Sequence, residues 1–314
     1  MNRKSTAVRM LINLAFTVAV VAFCAAYASR LDWAKLAGLK INPLYMSISL
    51  AAGVCYLFLS AHIWIRMLFR LNPSVRASWN LLAVYAKSWM GRYIPGKVVW
   101  IAGKIHFASS YGIPVSQLGV TSFLEAGVQM ATQLIISLAI VLVDGHFSVL
   151  PGSIRILILV AIVGLVVALT PPVFNLLTTL FFRLARRKVE HNLRVTWRAI
   201  GEMTGLYSLG YVLLGVTYFF SLKSFIPDLS SSLFAFTTAG ISIAGTMGIL
   251  ALFAPSGLGV REGFIVLFLS LAIPVEHAVV SAIVLRITAL LMDVAFWGLC
   301  VGGRKLFLGR GRAV

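Results

Sequence analysis

Eight apolar runs separated by short polar connections constrain this chain more than any other feature. They lie near residues 10–28, 43–65, 116–143, 154–182, 203–222, 232–254, 261–273 and 278–301. A spanning helix needs about 20 apolar residues, and most of the runs reach that length. Hydrophobic side chains make up 60% of the 314 residues and charged ones 11%, whereas an ordinary soluble domain is about 45–50% apolar. A single soluble core of this size cannot hide so much apolar surface. The chain therefore reads as an all-α, polytopic integral membrane helical bundle with about eight membrane helices. It forms one transmembrane domain over 1–314, with no soluble domain expected.

Charge sets the orientation. The chain carries 27 Lys and Arg against 9 Asp and Glu. Twenty of the basic residues fall in four groups: Arg3, Lys4 and Arg9; Arg66, Arg70, Arg76, Lys87, Arg92, Lys97 and Lys104; Arg183, Arg186, Arg187, Lys188, Arg194 and Arg198; and Arg304, Lys305, Arg310 and Arg312. The intervening loops carry only Arg30, Lys35, Lys40, Arg155 and Lys223. Basic loops stay in the cytoplasm, and all four groups share that side if both termini are inside. The expectation is N-in and C-in, in the inner (cytoplasmic) membrane. The first run ends in Ala26-Tyr27-Ala28, like a signal-peptide cleavage site, but is 19 residues long, beyond a signal core of about 7–15. It reads as an uncleaved span. Cys24, Cys55 and Cys300 lie far apart in apolar runs and read as small buried hydrophobes.

Two segments resist a simple span. Residues 78–112 are too charged for a lipid-exposed helix and too rich in Trp79, Trp89 and Trp100 for a free loop. Tyr93-Ile94-Pro95-Gly96 breaks the segment in the middle, because proline removes a helical N–H and biases the residue before it away from the helical region. Two half-helices would then form a re-entrant hairpin from the basic side. In 232–273, Gly240, Gly245 and Gly248 loosen the first half. Ala254-Pro255-Ser256-Gly257-Leu258-Gly259 breaks the segment, and Arg261-Glu262-Gly263 opens a run too short to span. Charge parity does not separate six crossings plus two hairpins from eight crossings with broken helices. Irregular backbone at membrane depth must be buried in protein or line a watery cavity, and paired broken segments point to a transporter's binding site. The plainer alternative is a pair of loops lying at the interface.

Gly91-Arg92-Tyr93-Ile94-Pro95-Gly96-Lys97-Val98-Val99-Trp100 and Pro255-Ser256-Gly257-Leu258-Gly259-Val260-Arg261-Glu262-Gly263 resemble the two signatures of the lysylphosphatidylglycerol synthase transmembrane-region family, also described as flippase-like. The resemblance extends over essentially the whole chain. It implies a membrane unit that moves a lipid between leaflets, and stand-alone relatives are associated with cell-envelope lipids. The sequence has no counterpart of the aminoacyl-transferase domain, so lysine transfer is not expected.

Arg92, Tyr93 and Lys97 at the first break, and Ser256, Arg261 and Glu262 at the second, are the candidate binding residues for an anionic headgroup. Arginine offers a planar fork of donors to phosphate, lysine a compact point charge. Half-helix N-termini add free N–H groups. Arginine at a helix start is disfavoured by the dipole, which suggests a partner or an anionic ligand for Arg261. The alternative readings are topology charge at 92 and 97 and an interfacial anchor at 261. Glu125, Gln129 and Gln133 share one stripe of the run 116–143, and Arg286 and Asp293 share a face of the last run. Glu125, Arg286 and Asp293 are candidates for coupling or gating, with Glu125–Arg286 one candidate ion pair and a purely structural pair the alternative.

The basic connection 183–198, with Trp197, reads as topology plus contact with anionic lipid heads. No module presents a groove-reading element, so no nucleic-acid partner is expected. No histidine cluster has metal-ligand spacing, and no cofactor motif is found. The leading expectation is translocation of an anionic phospholipid or polyprenyl-phosphate-linked lipid. A membrane glycosyl- or acyl-transferase with a lipid donor would instead need an acid or base at the cavity. Partnership with an envelope-lipid synthase, and homo-oligomerisation, stay open.

Overall fold

Helices account for every regular element among residues 40–72, 75, 79–93, 99–148, 150–184, 194–251 and 259–309, which the computed structural model describes. The expected first span at 10–28, and the candidate residues Lys97 and Ser256, lie outside the described residues. In order, the helices are α1 (Pro43–Leu71), α2 (Trp79–Trp89) with a 3-10 turn Met90–Tyr93, α3 (Val99–Ser109), α4 (Val115–Val143), α5 (Gly152–Leu169), α6 (Pro171–Leu184), α7 (Trp197–Lys223), α8 (Phe234–Leu250) after a 3-10 turn Ser231–Leu233, α9 (Val260–Leu269) and α10 (Val275–Gly309).

Local sequence explains where these helices begin. Asn42 caps α1: its side-chain oxygen accepts from the N–H groups of Leu44 at 3.0 Å and Tyr45 at 3.4 Å. Pro43 occupies the first turn, where its missing N–H has no helical partner to lose. Thr196 caps α7 through the Ala199 N–H. Gly259, at φ +82°, takes the left-handed conformation before α9. The Gly259 N–H donates to Glu262 Oε2 at 2.8 Å, closing the turn that a β-carbon would strain.

Six stretches are long and apolar enough to cross a membrane: Pro43–Leu71, Val115–Val143, Gly152–Leu169, Trp197–Lys223, Ser231–Leu250 and Val275–Gly303. The chain is thus a multi-pass, all-helical bundle. One expected span is corrected. The run 154–182 is not a single helix, because Thr170 turns extended (ψ 136°) and Pro171-Pro172 starts α6 afresh. Hydropathy continues across the break while the backbone does not. Cys55 is also corrected, since it lies on the exposed face of α1, whereas Cys300 is buried.

Two ends of the bundle can be recognised from contacts. At one, Arg66 and Arg70 near the end of α1 pair with Glu202 near the start of α7. The Asn72 side chain donates to Gln117 at 3.4 Å, and Trp79 lies against Gly303 of α10. At the other end, the Asn42 N–H donates to the Ser224 carbonyl at 2.7 Å, and Phe147 packs on Phe236. The first end carries Arg66, Arg70 and Arg198 and is the basic end among the described residues. Helices α2 and α3 both open toward it and pack antiparallel, with Gly103 against Ser88. Helices α8 and α9 open toward the opposite end, where Leu233 and Leu269 share a core with Phe225. Both 78–112 and 232–273 are therefore hairpins that return to the end they enter from. The order long helix, hairpin, long helix occurs twice, as α1, α2–α3, α4 and as α7, α8–α9, α10, running in opposite directions.

Within a bilayer, helices gain little from hydrophobicity alone, so close backbone approach and interhelical hydrogen bonds hold the bundle. Ser49 Oγ donates to the Thr217 carbonyl at 2.7 Å, joining α1 to α7, and the Ser221 and Thr288 hydroxyls meet at 2.9 Å between α7 and α10. Gly215 is where α7 meets α8: a β-carbon there would sit 2.8 Å from both Phe234 Cζ and Thr238 Oγ1. Helix α5 is the opposite case, with Leu169 its sole buried residue and a surface that suits contact with acyl chains.

Gly215→Leu is therefore expected to lower stability by about 1–3 kcal/mol through overpacking. Gly164→Leu on α5, where a β-carbon meets nothing within 4 Å, should leave the melting temperature in detergent unchanged. Equal losses from the two variants would contradict this packing.

Candidate functional site

The tips of the two hairpins meet the same helix. The first tip is pinned by Asp293 of α10, which is fully buried. Its Oδ1 accepts from the Trp89 indole N–H at 3.0 Å, and its Oδ2 from the Tyr93 hydroxyl at 2.6 Å. The Arg92 guanidinium approaches the same Oδ2 at 3.5 Å and lies 4.9 Å from the Trp89 ring centroid. A buried carboxylate requires compensation of this kind, because an ion without partners in low dielectric is costly by several kcal/mol.

The second tip is held about two turns away on the same helix. Glu262 divides its carboxylate: Oε2 caps Gly259, and Oε1 faces Arg286 of α10 at 3.4 Å. Arg286 and Asp293 are seven residues apart, about 10 Å along the axis. Asp293 holds the first hairpin and Arg286 faces Glu262 of the second, with Tyr93 of the first also within electrostatic reach of Arg286. Arg261 passes over Gly248, where an added β-carbon would lie 3.0 Å from Arg261 Cβ. The Arg261 Nε is buried and has no hydrogen-bond partner among the described residues.

Between the tips lies a cavity of about 310 Å³, at the lower end of the range for small-ligand pockets. Arg92 and Trp89 line it from the first hairpin, and Arg261 and Gly248 from the second. Gln129 and Gln133 of α4, Tyr56 of α1, Tyr218 of α7 and Met292 of α10 complete much of the wall. Both glutamine amides donate to the Tyr56 hydroxyl, Gln133 at 3.1 Å. Tyr56 has no motif around it in the sequence. Only the polar stripe on α4, which needs a partner somewhere, hints at such a residue.

Glu125, on the same stripe, takes a different position. The expected Glu125–Arg286 pair does not form. Glu125 is fully buried and ion-pairs with Lys104 of α3, while its Oε1 accepts from the Tyr85 hydroxyl at 2.6 Å. Charge counting along the sequence places Lys104 among the cytoplasmic topology charges. It is in fact wholly buried, with its ammonium 4.2 Å from the Tyr85 ring centroid, 4.8 Å from Trp100 and 5.2 Å from Trp64. The hairpin carries Lys104 inward against α4, whereas Arg286 faces Glu262 on α9. Of the nine candidate residues, Arg92 and Arg261 line the cavity, Tyr93, Glu262, Arg286 and Asp293 fix the tips, and Glu125 belongs to the aromatic-walled pair. The other two are the residues outside the described segments.

Breaking a buried pair leaves a charge without compensation, which costs about 3–5 kcal/mol, whereas replacing both partners by apolar groups is often near neutral. Lys104→Met is accordingly expected to destabilise the protein by that amount, and Lys104→Met with Glu125→Met to recover most of the loss. Thermal unfolding in detergent measures both. A double variant as unstable as the single one would show that the pair is not self-contained.

Comparison with protein-family models, with curated proteins and with solved structures finds no match for this chain.

Proposed function

We propose that the chain is a lipid translocator of the cytoplasmic membrane, of the flippase-like type its two signature segments resemble. It would move an anionic phospholipid or a polyprenyl-phosphate-linked lipid between leaflets. The observation that carries the reading is the charge around the cavity. Arg92 faces Asp293 and Arg286 faces Glu262, but Arg261 has no carboxylate of its own among the described residues. A cation held at membrane depth without a counter-ion is unfavourable. A phosphate entering between Arg92 and Arg261 supplies that counter-ion and receives charge-assisted hydrogen bonds from both.

In this mechanism the headgroup enters the cavity while the acyl chains stay in the bilayer. The phosphate competes with Asp293 for Arg92, loosening the first tip, and Arg286–Glu262 holds the second tip in turn. No nucleotide-binding motif accompanies the site, so movement follows a gradient or a coupled partner. A transferase would need a free acid or base, and of the three carboxylates named for that role Glu125 is engaged by Lys104, Asp293 by the first tip, and Glu262 by Gly259 at Oε2, with Oε1 3.4 Å from Arg286. This favours translocation of an unaltered lipid.

Purified protein in liposomes containing fluorescent phosphatidylglycerol should move that lipid between leaflets, with its mass unchanged. A charge-assisted hydrogen bond contributes about 1.5–3 kcal/mol, so Arg261→Ala and Arg92→Ala should each slow transfer about tenfold or more. No transfer of any anionic lipid, or wild-type rates in both variants, sinks the proposal. A chemically altered lipid would establish the transferase instead.

A further inference from the structure

We infer that the cavity selects a phosphodiester lipid whose headgroup is an uncharged polyol, and that it rejects headgroups bearing an ammonium. The inference rests on the translocation reading for its premise that a headgroup enters this cavity. Three features of the wall support the selection.

The first is the sign of the charge. Among the described residues, Arg92 and Arg261 are the charged side chains that line the cavity, and no carboxylate joins them there. Asp293 is fully buried behind Trp89 and Tyr93, and Glu262 is occupied by the Gly259 N–H and Arg286. One phosphate balances the unmatched Arg261. A headgroup that also carries an ammonium restores the excess positive charge in a site where like charges are poorly screened.

The second is the hydrogen-bonding character of the opposite wall. One amide N–H of each of Gln129 and Gln133 donates to the Tyr56 hydroxyl, which fixes the amide orientation and leaves each side chain its carbonyl oxygen as an acceptor together with one further N–H. Thr217, Thr246 and Thr288 line the same space, and each hydroxyl donates to a backbone carbonyl of its own helix, at 2.8, 3.1 and 2.9 Å. Their remaining capacity is as acceptors too. A wall rich in acceptors, with the remaining amide N–H groups beside them, faces two guanidiniums and matches a molecule with a phosphate at one end and hydroxyls, which both donate and accept, at the other. Acceptors alone would take an ammonium as readily as a hydroxyl, so the guanidiniums decide against the ammonium.

The third is size. About 310 Å³ accommodates a glycerol- or sugar-sized headgroup.

Calorimetric titration of the full chain in detergent tests the selection directly, using dihexanoyl-phosphatidylglycerol, dihexanoyl-phosphatidylethanolamine and the deacylated headgroup glycerophosphoglycerol. Phosphatidylglycerol is expected to bind at least about tenfold more tightly than phosphatidylethanolamine. Gln133→Glu is nearly isosteric and sets a carboxylate on the cavity wall, so it should reduce that ratio at least about tenfold. Equal wild-type affinities for the two lipids, binding of neither, or an unchanged ratio in folded Gln133→Glu overturns the inference. Glycerophosphoglycerol binding as tightly as the lipid would identify a soluble phosphodiester and overturn the lipid assignment. Selective lipid binding without transfer in liposomes leaves the selection standing and removes the translocation reading.

Discussion

Backbone that leaves the helix at membrane depth must be buried in protein or line a cavity, and side chains of α10 hold the described ends of both breaks. Asp293 and Arg286 stand on one face of it, and each fixes one broken hairpin. Neither residue would be tolerable there alone. Together with Trp89, Arg92, Tyr93 and Glu262 they convert two costly buried charges into two anchors. The remaining helices are arranged around that pair of anchors. Helices α1 and α7 pack antiparallel behind the cavity, and α4 closes it with its glutamine stripe.

The two charged centres of the bundle differ in kind. Lys104 and Glu125 neutralise one another, are fully buried, and are enclosed by Tyr85, Trp100 and Trp64. Such a pair fixes the position of the first hairpin against α4 and has no charge left to offer. The centre on α10 is unbalanced among the described residues, with the guanidiniums of Arg92, Arg261 and Arg286 set against the carboxylates of Glu262 and Asp293. The Arg92 side chain remains 30% exposed beside the cavity. Burial with balance gives structure, and burial with imbalance next to open volume gives a site.

Much of this was legible in the sequence, for a physical reason. Hydropathy and loop charge report the solvent that each segment meets, so most of the described spans emerge from them, whereas the choice between hairpins and broken crossings does not. The breaks emerge because proline and glycine act locally. What stayed hidden depends on pairing between distant segments. Lys104 looks like any other basic residue of a cytoplasmic loop until α3 folds inward against Glu125. Tyr56 sits in an ordinary apolar helix, and nothing near it announces that two glutamines 73 and 77 residues away will converge on its hydroxyl. The break at Thr170 was missed for the opposite reason. A local signal, Pro171-Pro172, was present but lay inside a continuous apolar run, and hydropathy does not register backbone geometry.

The opposed entry of the hairpins bears on how such a site could serve both leaflets. One tip reaches the cavity from the basic end and the other from the far end, and each is held to α10 through its own ion pair, about 10 Å apart. Arg92 pairs with Asp293 and Arg286 with Glu262, while Tyr93 of the first tip also lies within electrostatic reach of Arg286, so the two anchors are coupled. A ligand with a single phosphate has two guanidiniums to bind, one from each tip. Engaging Arg92 weakens the first anchor, and engaging Arg261 draws on the hairpin held by the second. Differential contact of this sort is what a ligand needs in order to shift a conformational equilibrium. In the proposed mechanism the unmatched charge of Arg261 would give an anionic headgroup purchase on both tips, and through them on access from either end.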